Sequence, residues 1–261
     1  MNRKAVIEHI VRWLAGYCEQ AGLDGFVTGI SGGVDSAVTS ALCARTGKPT
    51  YAVSLPINQA KEQDELADRH LEWLSNRFPC VSVHRLDLSI VLDSFQQTLP
   101  GDLQTGLVLA NTKSRIRMIA LYAFATRHRL LVAGTGNKVE DFGVGFFTKY
   151  GDGGVDLLPI GDLMKSEVRQ LAEELHIPPE IVEAVPVDGL WEDQRCDEEQ
   201  IGATYDELEW AMAHEESGVE DKDLSPRQKE VLTIFRRLNK ANRHKMEPIP
   251  VARIPDSLKL T

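Results

Sequence analysis

Residues 29–36 read Gly-Ile-Ser-Gly-Gly-Val-Asp-Ser. They fall where an apolar run, 25–30, gives way to a helical pattern. A helix N-terminus offers unpaired N–H groups and the positive end of the helix dipole, so it suits an anion. Gly32 and Gly33 let the backbone approach a phosphate closely. Ser31 and Ser36 can donate hydroxyl hydrogen bonds. Asp35 cannot hold the phosphate, because two anions repel; it makes sense if a divalent cation bridges it to phosphate oxygens. No Lys follows Gly33, so this is not a Walker loop, and the glycine spacing is not GxGxxG.

An SGGxDS run at a strand–helix junction resembles the PP-loop of the ATP pyrophosphatases, which split ATP between its α- and β-phosphates. Residues 143–159 read GVGFFTKYGDGGVDLLP. Together with Gly134-Thr135, Glu140, the run Asn111-Thr112-Lys113-Ser114-Arg115, Lys165, Tyr205-Asp206-Glu207 and His244-Lys245, this string is very similar to the ammonia-dependent NAD synthetases. The resemblance covers nearly the whole chain. It implies that ATP adenylates the nicotinate carboxylate of deamido-NAD, expelling pyrophosphate, and that ammonia then attacks the acyl-adenylate to give NAD and AMP. The activated acyl group is needed because carboxylate oxygen is a poor leaving group.

The same resemblance implies roles for single residues. Gly29, Ile30, Ser31, Gly32, Gly33, Val34, Asp35, Ser36, Thr135, Lys165 and Val187 would contact ATP. Asp35 and Glu140 would be the Mg²⁺ ligands, the ion offsetting charge on the α-phosphate. Asn111, Arg115, Lys149, Asp156, His244 and Lys245 would hold deamido-NAD, whose pyrophosphate calls for cationic partners. Asp152, with Lys149, is expected at the reacting carboxylate, where Asp152 would take a proton from ammonium or orient ammonia. The family also works as a homodimer with substrate at the interface, to which the helices at 103–128 and 1–20 would contribute.

The chain departs from the family pattern at three places. Ser54 stands where the family has an Arg used at the adenylate, so another residue must supply that charge or the contact is absent. Val187 stands where the family has a Thr, leaving only its backbone. The loop 134–145 is one residue longer than in the commonest form, with Asp141-Phe142 in that region.

These residues must be positioned by a particular set of elements. Strand-like runs at 25–30, 49–55, 81–86 and 130–133 alternate with helical patterns at 34–45, 59–78, 90–99 and 103–128. That alternation implies βαβ units: a three-layer α/β/α domain with a parallel, Rossmann-like sheet of about five strands. Ligands of such sheets bind at the carboxyl ends of the strands, where both the glycine loop and Thr135 are expected. The stretch 134–154 holds seven glycines and reads as a functional loop. Helices are expected at 163–175, 205–214 and 226–241, the last with Ser225 as N-cap and Pro226 at its first position. The tail 248–255 should be extended.

Composition sets the remaining bounds. The chain has 261 residues and a formal net charge of −10. That charge is concentrated: 188–223 carries 14 acidic and 2 basic side chains, whereas 224–261 carries nine basic and three acidic. The acidic balance argues against a nucleic-acid or anionic-membrane partner. No apolar run reaches the ~18 residues of a membrane span. Cys18, Cys43, Cys80 and Cys196 are scattered and suit reduced thiols in a cytoplasmic protein. A tRNA-thiolating relative should show a Cys pair and a basic surface, and a GMP synthetase should carry further domains. A non-catalytic nucleotide sensor has no reason to keep Asp35, Glu140, Lys149 and Asp152 together. A single synthetase domain, 1–261, uses the whole length, so free ammonia is the expected nitrogen donor.

Overall fold

The computed structural model describes residues 1–59, 61–187, 189–191 and 196–259. Asp188 and residues 192–195 of the acidic segment lie outside the described residues. The first elements are α1 (Arg3–Gln20), β1 (Gly25–Gly29), α2 (Val34–Arg45), β2 (Thr50–Ser54), α3 (Lys61–Arg77) and β3 (Val81–Arg85). They are followed by α4 (Ser89–Thr98), α5 (Gly106–His128) and β4 (Leu130–Val132). The strands pair in parallel in the order β3-β2-β1-β4.

Period-two alternation sorts their side chains onto two faces. Phe26, Ala52 and Leu131 face a core built with α1, α2 and α6 (Lys165–Glu174). Val27, Val53, Leu130 and Val132 face a second core built with α4 and α5. Helices therefore cover both faces of the sheet, whose strands β1, β2 and β4 are largely buried while the edge strand β3 stays partly exposed.

Among the described residues the sheet has four strands rather than about five. After β4 the chain makes one parallel bridge, Ala133 to Leu157, and leaves. Asp156 donates its N–H to Val132, and Gly134 donates to Leu157. Pro159 has no N–H to extend that ladder.

The order 3-2-1-4 reverses direction between β1 and β4. Connections from these neighbouring strands depart to opposite faces, opening a crevice at their carboxyl ends. The glycine loop leaves β1 there and Thr135 leaves β4 there.

The long loop after β4 contains a π-turn at Val139–Val144. A helical turn with one extra residue becomes an i→i+5 turn. The turn packs into a third core with α9 (Tyr205–Ser217) and α10 (Pro226–Met246). The short helices α7 (Pro179–Val182) and α8 (Asp197–Ile201) connect α6 to this unit. Ser225 caps α10 in a capping box with Gln228, and Pro226 is its first residue. The helix runs on to Met246, five residues past the expected end, and carries His244 and Lys245 in its last turn.

The acidic segment and α10 neutralise one another. Arg227 pairs with Glu207 at 2.7 Å, and Arg236 pairs with Glu215 and Asp221 at 2.6 Å. All four cysteines are free thiols. Among the described residues no helix is long and apolar enough to cross a membrane.

Candidate active site

The glycine loop is held by its own hydroxyls. Ser31 donates its N–H to Ser36 Oγ at 3.2 Å, and the two hydroxyls lie 3.1 Å apart. Ser36 Oγ donates to the Gly33 carbonyl at 3.0 Å. Gly32 has φ +89°, and a Cβ there would sit 2.9 Å from the Gln63 carbonyl oxygen. Only glycine meets both conditions. Gly33 is the N-cap of α2 and no side chain caps that helix, so its first N–H groups remain for a ligand.

One cavity is lined by this loop together with Thr135, Glu140, Lys165, Val187 and Asp152. Every residue expected at ATP, both expected metal ligands and the expected base therefore share one crevice. At its floor Lys165 Nζ lies 2.5 Å from Asp35 Oδ2 and 3.0 Å from Glu140 Oε1. Tyr205 Oη donates to the same Glu140 oxygen at 2.5 Å and to Asp197 at 3.2 Å.

The two carboxylates share one cation, and their proton affinities separate. Burial, reinforced by Glu140 and opposed by Lys165, raises Asp35 to about 6. Glu140 is also penalised by burial, but Lys165 and the Tyr205 hydrogen bond outweigh this and hold it below the usual carboxylate value. Lys165 resists burial because Asp35 and Glu140 hold its proton.

A divalent cation fits this donor set. Asp35 Oδ1 is buried with no hydrogen-bond partner. Mg²⁺ characteristically takes one or two carboxylates and completes its shell with phosphates and water.

Asp152 lines the cavity and is exposed to it. Ser114 Oγ donates to its Oδ1 at 2.6 Å, and the Thr148 N–H donates to the same oxygen at 3.0 Å. Burial raises its pKa against these bonds, giving a stronger base than a solvated aspartate.

The residues expected at the dinucleotide meet around 146–150 rather than on the cavity wall. Asn111 accepts from Thr148 Oγ1 at 2.7 Å. Arg115 donates to the Lys149 carbonyl at 3.3 Å. Lys149 Nζ donates to the His244 carbonyl at 2.5 Å, and Lys245 Nζ to the Phe147 carbonyl at 2.6 Å. Asp156 stands apart, accepting from the Val132 N–H at 2.8 Å and from Tyr122 Oη at 3.1 Å.

Two residues were not foreseen. Arg117 lines the cavity and donates to the Leu55 carbonyl at 3.0 Å and to Gln59 at 3.1 Å. It places a guanidinium beside the carboxyl end of β2, where Ser54 supplies none; Ser54 itself is buried, 2 % exposed. The signal lay in α5: Ser114, Arg117, Met118 and Leu121, at i, i+3, i+4 and i+7, all line the cavity. The second is Asp141, brought by the π-turn to the cavity wall and 7 % exposed. Its carboxylate fills the space beside Gly136, where a Cβ would fall 2.0 Å from Oδ2. Burial, then the charges of Glu140, Asp152 and Asp35, raise its pKa well above the usual carboxylate range.

A model of the NAD synthase family matches residues 6–249. The ammonia-dependent NAD(+) synthetase of Archaeoglobus fulgidus is 38% identical over 262 residues, covering 99% of this chain and 100% of its own. That of Syntrophomonas wolfei is 38% identical with the same coverage. Among solved structures, the NMN synthetase of Francisella tularensis superimposes with a TM-score of 0.83 at 31% identity, covering 98% of this chain and 99% of that one. The ammonia-dependent NAD synthetase of Campylobacter jejuni gives 0.80 at 25% identity, covering 97% and 100%.

Proposed function

This chain belongs to the NAD synthase family, ligases that use ammonia in the final step of NAD formation, and from that premise we propose how its residues divide the reaction. The carrying observation is the single crevice that joins the glycine loop, the Asp35–Lys165–Glu140 cluster and Asp152. The loop and the N-terminus of α2 take ATP phosphates, and Thr135 and the backbone at Val187 border the nucleotide. Asp35 and Glu140 hold Mg²⁺, which supplies charge neutralisation at the α-phosphate when bound. Arg117 and Lys165, the two cations among the described residues lining the cavity, stabilise charge as pyrophosphate departs.

The substrate carboxylate attacks the α-phosphate, forming the acyl-adenylate. Asp152 then binds ammonium through its carboxylate and accepts a proton, and ammonia displaces AMP. Ser114 and the Thr148 N–H fix the carboxylate's orientation. Arg115, Lys149, His244 and Lys245 form the rim that receives the rest of the substrate, with Asn111 holding the Thr148 hydroxyl beside it and Asp156 tied to the end of β4.

The decisive assay mixes protein, ATP, Mg²⁺, deamido-NAD and ammonium, and measures NAD and pyrophosphate. Equal yields of both support the reading; pyrophosphate without NAD would refute it. The likeness to an NMN synthetase favours a second reading of the acceptor, nicotinate mononucleotide, which presents the same carboxylate. The ratio of kcat/KM for the two acceptors decides between them.

We also place the protein in the cytoplasm, where its free thiols would stay reduced, as a homodimer. Ile90, Leu107 and Ile119 of α4 and α5 are 74%, 62% and 63% exposed, which is a costly apolar surface for a monomer.

A further inference from the structure

We propose that Lys165 and the divalent cation compete for the same two carboxylates, so that metal binds together with the nucleotide and not to the protein alone. This rests on reading Asp35 and Glu140 as the metal ligands.

Lys165 is the first residue of α6. A cation there faces the positive end of the helix dipole, so helix formation does not favour it. The side chain is nevertheless 4% exposed and lies within 3.0 Å of both carboxylates. The Tyr205 ring stands 4.7 Å from Nζ and adds a cation–π contact. The lysine is thus enclosed by its anions rather than reaching into solvent.

The geometry makes the two cations rivals. Glu140 Oε1 already receives two donors, Lys165 Nζ and Tyr205 Oη. Asp35 offers Oδ1, buried and unpartnered, while Oδ2 is held by the lysine. Two carboxylates and one ammonium carry a net charge of −1; adding a dication in the same buried space reverses that to +1, with two cations repelling at short range. Triphosphate removes the conflict. Its oxygens can receive the ammonium, and the carboxylates pass to the metal. Lys165 then serves in turn as the counter-ion of the metal ligands and as a phosphate contact.

The test is Mn²⁺ binding to nucleotide-free protein, followed by electron paramagnetic resonance. Wild type should bind only at millimolar concentration or weaker. Lys165→Met should bind at least about tenfold more tightly, within the usual range of site–site coupling. Lys165→Arg keeps the charge and should stay as weak as wild type. Equal affinity in wild type and Lys165→Met overturns the proposal. Should Lys165→Met fail to fold, wild type decides, because micromolar binding without nucleotide also overturns it. Adding Asp35→Asn separates the two readings. Tight binding by Lys165→Met that survives Asp35→Asn refutes the ligand assignment. No tightening, with turnover still lost in Asp35→Asn, refutes the competition and leaves the assignment standing.

Discussion

Asp152 has an oxygen fixed by Ser114 and the Thr148 N–H and a proton affinity raised by burial. In the reaction proposed above, such a group acts on ammonia, after ATP has been consumed. Asp152→Asn should therefore leave pyrophosphate release in a single turnover intact while amide formation falls by about 10²–10⁴. Quenched-flow measurement of both products checks this; equal loss of both would remove Asp152 from the second step. In the proposed reaction Arg117 belongs to the first step. Arg117→Met should slow pyrophosphate release by about 10²-fold, the scale of losing one preorganised charge, and leave amidation of a preformed adenylate unchanged. At this scale the sequence was informative wherever a motif carries its own chemistry, as in the glycine loop. For Arg117 the only signal was helix phase, which decides whether residue 115 or residue 117 faces the crevice.

The elements that hold these residues are linked through α9. Glu209 accepts from the Ser166 N–H at 2.8 Å and from its hydroxyl at 2.6 Å, capping the first turn of α6 beside Lys165. Tyr205, 1% exposed, carries the same helix to Glu140. Part of the acidic segment is therefore scaffold for Glu140 and Lys165, a role its charge count alone could not reveal. Tyr205→Phe keeps the ring and removes the hydroxyl, taking away one of the two donors to Glu140 Oε1 and one donor to Asp197. Unfolding in urea should show a loss of about 1–3 kcal/mol, and the Mg²⁺ requirement should rise with kcat little changed. An unchanged Mg²⁺ dependence would make Tyr205 a packing residue only. The alternating strands and helices were legible because apolar period marks them. The π-turn at Val139–Val144 was not, because its glycine and two acids resemble a loop and its register is set by packing on α9 and α10.

For the whole molecule, association and acid stability are the properties to test. Light scattering should give twice the chain mass, and Leu107→Glu with Ile119→Glu should shift it to one chain mass. Acid stability turns on His70, which is wholly buried between α2 and α3. Its Nε2 lies 2.8 Å from Ser40 Oγ, and that hydroxyl donates to the Ser36 carbonyl at 2.8 Å. Nδ1 is buried without a partner. Burial lowers its pKa from 6.5 to about 3. The unfolded chain takes up a proton as pH falls below 6.5, while the folded chain does not until about 3. Stability is complete above the unfolded value and drains away across that window as pH falls. At pH about 5 the loss from this one group is about 2 kcal/mol. Asp35, raised from 3.8 to about 6, acts in the opposite direction: the folded state holds the extra proton, and acid favours it between those values. Wild type and His70→Gln share that contribution, so it cancels in their difference. Urea unfolding from pH 8 to pH 4.5 should show a constant difference above pH about 7 and a growing advantage for His70→Gln below pH about 6. Parallel curves throughout would mean that His70 ionises while still folded, through an opening between α2 and α3 that admits water.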